Sequence, residues 1–191
     1  MLKEAPKRRV RLTMEQIRAL LDELSDSLAN IVEFAIYQGF RKENILSLRV
    51  EQIRFHDLTN TGEVDLVVKG GRAETKTLGK PAVRLLRRVI GVRREGYVFL
   101  NPKTGKRWVS IHRAFNHVVR KLRLTTECGK KITFHDLRHV FGTWLRDAGV
   151  SLDDIRPLMG HKDRKMTDHY ITEDSLAVGK QLDKIPILRM Q

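Results

Sequence analysis

The sequence predicts an α+β fold that is mostly α-helical: a helical bundle carrying a small antiparallel sheet or hairpin. Three observations predict it. Apolar residues recur at helical spacing through most of the chain. One central stretch, VDLVVKGGRAETKTL, switches to β-branched alternation around a glycine-containing turn. The length, 191 residues, suits one domain with a sizeable core.

The elements follow in order. TMEQ, from Thr13, is a capping box, and Ile17, Leu20, Leu21 and Leu24 after it mark one helix face. Leu28, Ile31, Val32, Ala35 and Ile36 form the stripe of a second helix, with Gly39 as its stop. A short helical piece, KENILSLR, follows directly. VDLVV (64–68) and ETKTL (74–78) are expected as two strands joined by KGGRA. Lys80 and Pro81 open a basic helix through RLLRRVI, and YVFL is a short strand candidate. Ile111, Ala114, Phe115, Val118, Val119 and Leu122 define a further amphipathic helix. Leu137, Val140, Phe141, Trp144 and Leu145 stripe the next, and SLDD at 151 is a capping box for the helix after it.

Charge narrows the function. Lys and Arg number 37 against 23 Asp and Glu, a formal net charge of +14, so an anionic partner is expected. No apolar run approaches membrane-spanning length and no lipidation signal is visible, which leaves nucleic acid ahead of a membrane. The single cysteine, Cys128, excludes an internal disulfide and a multi-cysteine zinc knuckle, as expected of a reducing cytoplasm. Residues 1–12 read as a basic arm, and residues 13–191 as the domain, with a tail from about 172. In that tail Leu176, Val178, Leu182, Ile185, Ile187 and Leu188 are too apolar for a free end, so it is expected to dock, on its own domain or on a neighbour.

The stretch HDLRH (135–139) has two readings. Two histidines four apart share a helix face and nearly reproduce the HExxH pattern of zinc peptidases. The acid here is Asp136, one methylene shorter than glutamate and about 100° away from His135 around the helix. Arg138 is an odd neighbour for a zinc site and a natural one for a phosphate. With the stripe from Leu137 to Leu145 facing the core, His135 and His139 are expected opposite it and Arg138 on the flank, at an exposed helix start.

Downstream, LMGH ends at His161 and Tyr170 follows nine residues later in MTDHY. HxLRH, then LxGH, then a tyrosine at this spacing resembles the catalytic domain of the tyrosine recombinase, or phage integrase, family. Two earlier motifs extend the likeness: YQGFRKENILSLR offers Arg41 for the first arginine, and VVKGGRAETKTL offers Lys69 for the hairpin lysine, with Lys76 a less well placed rival. Two departures stand out. Asn44 replaces the glutamate usual three residues after the first arginine, and the amino-terminal DNA-clamping domain is not in this chain. The chain is therefore expected to be the catalytic domain of a longer protein.

The resemblance implies the chemistry of phosphodiester attack without metal or cofactor. Arg41 and Arg138 present planar forks to the non-bridging oxygens, and His161 donates a further hydrogen bond. Tyr170 is the nucleophile, His135 accepts its proton, and Lys69 protonates the leaving 5′ oxygen. His56, His112, His117, His139 and His169 take surface or supporting roles. The implied function is site-specific strand exchange on double-stranded DNA by a homo-tetramer of the full-length protein, in the bacterial cytoplasm at the nucleoid. A type IB topoisomerase-like relaxing enzyme and a basic DNA-binding module with a decayed site are the alternatives.

Overall fold

The computed structural model describes residues 10–67, 71, 73–159 and 175–189. Its helices are α1 (Met14–Asp22), α2 (Asp26–Gln38), α3 (Lys42–Leu46), α4 (Lys80–Ile90), α5 (His112–Lys121), α6 (Asp136–Asp147), α7 (Leu152–Leu158) and α8 (Ser175–Leu182). A three-stranded antiparallel sheet, β1 (Ile53–His56), β2 (Thr61–Val67) and β3 (Ala73–Leu78), lies between α3 and α4, in the order β1-β2-β3.

The helix boundaries obey local chemistry. Thr13 caps α1 in a complete capping box: its Oγ1 accepts from the Gln16 backbone N–H at 3.2 Å, and Gln16 returns the bond to the Thr13 N–H at 2.9 Å. Ser151 caps α7 with only half of the expected box. The Asp154 N–H reaches Ser151 Oγ at 3.1 Å, but the Asp154 carboxylate accepts from that same hydroxyl at 2.8 Å. Asp is a methylene shorter than the Glu of a full box, and its carboxylate stays with the hydroxyl.

The sheet differs from the expected pair of strands. β2 and β3 form the predicted hairpin, in register from Gly62 opposite Leu78 to Val67 opposite Ala73. β1 adds a third strand, with Ile53 opposite Val64 and His56 opposite Thr61. IRFH carries only two apolar residues, both half-buried, so its alternation is faint. Pairing to β2 makes it a strand, helped by Arg54, which reaches across to Asp65 and Glu63.

YVFL is not a strand. Tyr97 and Leu100 make only isolated bridges, to Arg49 and Arg107. The guanidinium of Arg93 takes the carbonyls of Tyr97 at 2.6 Å and Val98 at 2.9 Å, two acceptors that a ladder would have used. Val98 and Phe99 are nonetheless fully in the core.

α2 is the central helix: residues 31–38 are buried all round, against α1, α4 and α6. The core reaches from Val10 and Leu12 to Leu182, Ile185 and Leu188. The end of the chain thus folds back on its own domain. Asp183 Oδ1 accepts from the Lys80 N–H at 2.6 Å, at the first turn of α4. Tyr37 Oη accepts from the Leu188 N–H at 2.9 Å and donates to Glu33 Oε1 at 2.9 Å. Glu33, buried inside α2, is paired with Arg88 of α4 and Arg189 of the tail. Burial, opposed by the Leu188 hydrogen bond and reinforced by Glu33, pushes the Tyr37 hydroxyl well above its ordinary pKa.

Candidate active site

The site lies where α2 ends and α6 begins. α2 terminates at Gly39, in the left-handed region at φ 60°, with its N–H on the Ala35 carbonyl at 2.9 Å. Two residues on, Arg41 is the N-cap of α3, extended at φ −66° and ψ 146°, with an exposed side chain. α6 packs across α2, and Phe141 seats its ring against Gly39 so closely that a Cβ at position 39 would collide with it.

Arg138 is the residue whose placement departs most from expectation. It is 7% exposed, not on an open flank. Its Nη1 donates to the Gly39 carbonyl at 2.6 Å. Its Nη2 is buried and has no hydrogen-bond partner among the described residues. Burial, and then the positive charge of Arg41, pull its pKa down to about 10, below the ordinary guanidinium range. The group remains a cation at neutral pH, and the dependence on Arg41 places the two guanidiniums in one electrostatic neighbourhood. The stripe rule failed because a long side chain on the flank of a helix can run inward along a neighbouring helix.

Asp136 is also buried, at 2% exposure. Its Oδ2 accepts from the Thr133 N–H at 2.7 Å and the Thr133 hydroxyl at 2.8 Å. The acid of HDLRH thereby ties the turn that leads into α6. His135, at the N-cap position, is exposed, with its ring 5.6 Å from that of His139 in an edge-to-face arrangement. His135 also bears on α3. The Glu43 carboxyl is held below its ordinary range by its own backbone N–H first, then by Lys42 at 3.3 Å, with a smaller contribution from His135. Arg41, His135 and Arg138 are thus gathered around the α2–α3 turn and the start of α6.

Lys69, His161 and Tyr170, with His169, lie outside the described residues. The rival Lys76 sits on β3 opposite Val64, with its ammonium on Glu74 at 3.1 Å. His56, His112 and His117 are exposed and His139 is half-buried. Among the described residues no group of three His, Cys, Asp or Glu side chains is placed to hold a metal ion. The Gly39 carbonyl and the Thr133 backbone N–H hold Arg138 and Asp136, contacts that residue motifs do not register, since main-chain groups leave no letter of their own.

The model of the phage integrase family matches residues 10–176 of this chain. The chain belongs to the phage integrase family. Among curated relatives, the integrase of Salmonella phage P22 is 27% identical over 169 residues, covering 83% of this chain and 42% of the relative. The tyrosine recombinase XerD of Oceanobacillus iheyensis is 26% identical over 170 residues, covering 83% and 56%. This phage integrase chain therefore spans about half the length of these relatives. Among solved structures, the integrase from mycobacterium phage Brujita matches over 100% of this chain and 62% of its own, with a TM-score of 0.68 and 20% identity. A lambda integrase dimer bound to a COC′ core site matches over 87% and 49%, with a TM-score of 0.66 and 20% identity. These likenesses establish the α+β, mostly helical architecture as the phage integrase catalytic fold.

Proposed function

We propose that this chain is the catalytic domain of a tyrosine site-specific recombinase, cutting and rejoining double-stranded DNA through a 3′-phosphotyrosyl intermediate. The observation that supports the reading best is the Arg138 fork: one arm held by Gly39, the other buried and without a hydrogen-bond partner among the described residues, with the charge of Arg41 acting on it. A buried cation with an open donor costs free energy unless an anion completes it. In a phage integrase, that anion is the scissile phosphate.

The residues then divide the work. Arg41 and Arg138 hold the non-bridging oxygens and stabilise the charge that builds in the five-coordinate transition state, with His161 donating to the same oxygens. Tyr170 Oη attacks phosphorus, its proton passing to His135. The phosphorus–O5′ bond breaks, and Lys69 supplies the proton that makes a free 5′ hydroxyl. One ester replaces another, so a second strand's 5′ hydroxyl can reverse the step without ATP, and the groups named here do it without metal or cofactor. In the whole protein four such domains act on paired sites. Among the described residues no helix is long and apolar enough to cross a membrane, and the nucleoid in the cytoplasm is the natural place for this activity.

A nicked duplex that loses a short 3′ fragment on cleavage tests the reading. The chain should form a covalent adduct on a denaturing gel with or without chelator. Tyr170→Phe should abolish the adduct while leaving DNA binding intact. Adduct surviving in that variant, or lost with chelator, refutes the proposal.

A further inference from the structure

We infer that the main-chain carbonyl of Gly39 is a positioning group for catalysis, aiming the Arg138 guanidinium and, through the same turn, fixing Arg41 beside it; the inference rests on the reading of these two arginines as the phosphate grip. A guanidinium is a rigid plane. Once Nη1 is fixed on the Gly39 oxygen at 2.6 Å, the direction of Nη2 is set before any ligand arrives. Donors already aimed need no reorganisation when charge develops on the phosphate.

Three features make this carbonyl suited to the task. It stands at the C-terminal end of α2, a 13-residue helix, where unspent carbonyls and the negative end of the helix dipole favour a cation. The left-handed φ of 60° turns the chain sharply there, so that Arg41 enters α3 two residues later. The missing Cβ lets the Phe141 ring press onto the backbone. Phe141 lies one turn beyond Arg138 on α6, so this contact sets how near α6 comes to the carbonyl. A side chain at 39 would push on Phe141 and lengthen the Arg138 bond.

The test weakens the acceptor and leaves every side chain unchanged. An α-hydroxy analogue of phenylalanine at position 40 turns the 39–40 amide into an ester, whose carbonyl is a poorer acceptor. The Phe40 N–H removed in the process makes no backbone hydrogen bond among the described residues. Adduct formation on the nicked duplex should slow about tenfold, the equivalent of one weakened charge-assisted hydrogen bond, with DNA affinity unchanged. In an Arg138→Ala background the same ester should change the rate less than twofold. Nitrogen-15 NMR gives a reading independent of activity: two distinct Nη resonances for Arg138 in the amide protein, merging as rotation is freed in the ester. An unchanged rate, an equal slowing without Arg138, or Nη resonances indifferent to the ester would each overturn the inference. Failure of the phosphotyrosyl reading is separately visible as adduct in Tyr170→Phe, and the NMR comparison stands apart from it.

Discussion

Replacing Arg138 by methionine should make the free protein more stable while destroying its activity. The fall in its pKa to about 10, from the ordinary guanidinium range, corresponds to on the order of 3 kcal/mol against the buried cation, at about 1.4 kcal/mol per pH unit. This is an upper bound, because real interiors relax around a charge. Against it stands the bond to Gly39, about 1–2 kcal/mol, whose loss leaves a carbonyl short of a partner. Methionine is flexible and of similar length, so it fills the space without a cavity. The balance is a gain of at most about 1–2 kcal/mol, and for a chain of this size a rise in Tm of up to about 8 °C. Scanning calorimetry without DNA measures it, and the nicked-duplex assay measures the loss of cleavage, expected at about a thousandfold or more. A lower Tm for Arg138→Met would mean that the guanidinium is a structural group satisfied in the free protein. Retained cleavage would mean that its open arm serves no phosphate.

Two further predictions concern the tail and the sheet. A Cβ on Gly79 would lie 2.6 Å from Leu182 Cβ and 3.2 Å from the Leu182 carbonyl carbon, so Gly79→Ala should lift the tail, break the Asp183 contact with Lys80 and cost about 1–3 kcal/mol. Limited proteolysis should then cut after α8 faster than in the parent, and an unchanged cutting rate would show that the tail is not held there. Asp65 is held down to about 2 by hydrogen bonds from Arg54 first and Thr75 second. A carboxyl whose folded pKa lies below its ordinary 3.8 stabilises the fold above about pH 4 and loses that contribution as pH falls toward 2. Asp65→Asn should narrow the gap between urea midpoints at pH 5 and pH 2.5, modestly because the pair is exposed; an identical gap in both proteins would discount the pair.

What the sequence determined by itself is local or periodic. Thr13 and Gln16 announce α1 because a capping box is complete within four residues. Gly39 announces the end of α2 because few other residues accept its φ. The helical stripes and the β2–β3 hairpin are written in spacings of three, four and two, and the ordered motifs around Arg41, HDLRH, His161 and Tyr170 carried the family. Tertiary structure decided what depends on a distant partner. β1 is a strand because β2 pairs with it, and YVFL is not one because Arg93 takes its carbonyls. The tail is held by Glu33, Tyr37 and Lys80, more than a hundred residues away. Arg138 is the sharpest case. Helical periodicity put Arg138 on an exposed flank, but a side chain with several rotatable bonds can run outward or inward from a helix. Only the neighbouring end of α2, with its open carbonyl and the Phe141 ring laid on Gly39, turns the guanidinium into the interior, where one arm is held and the other has no hydrogen-bond partner among the described residues.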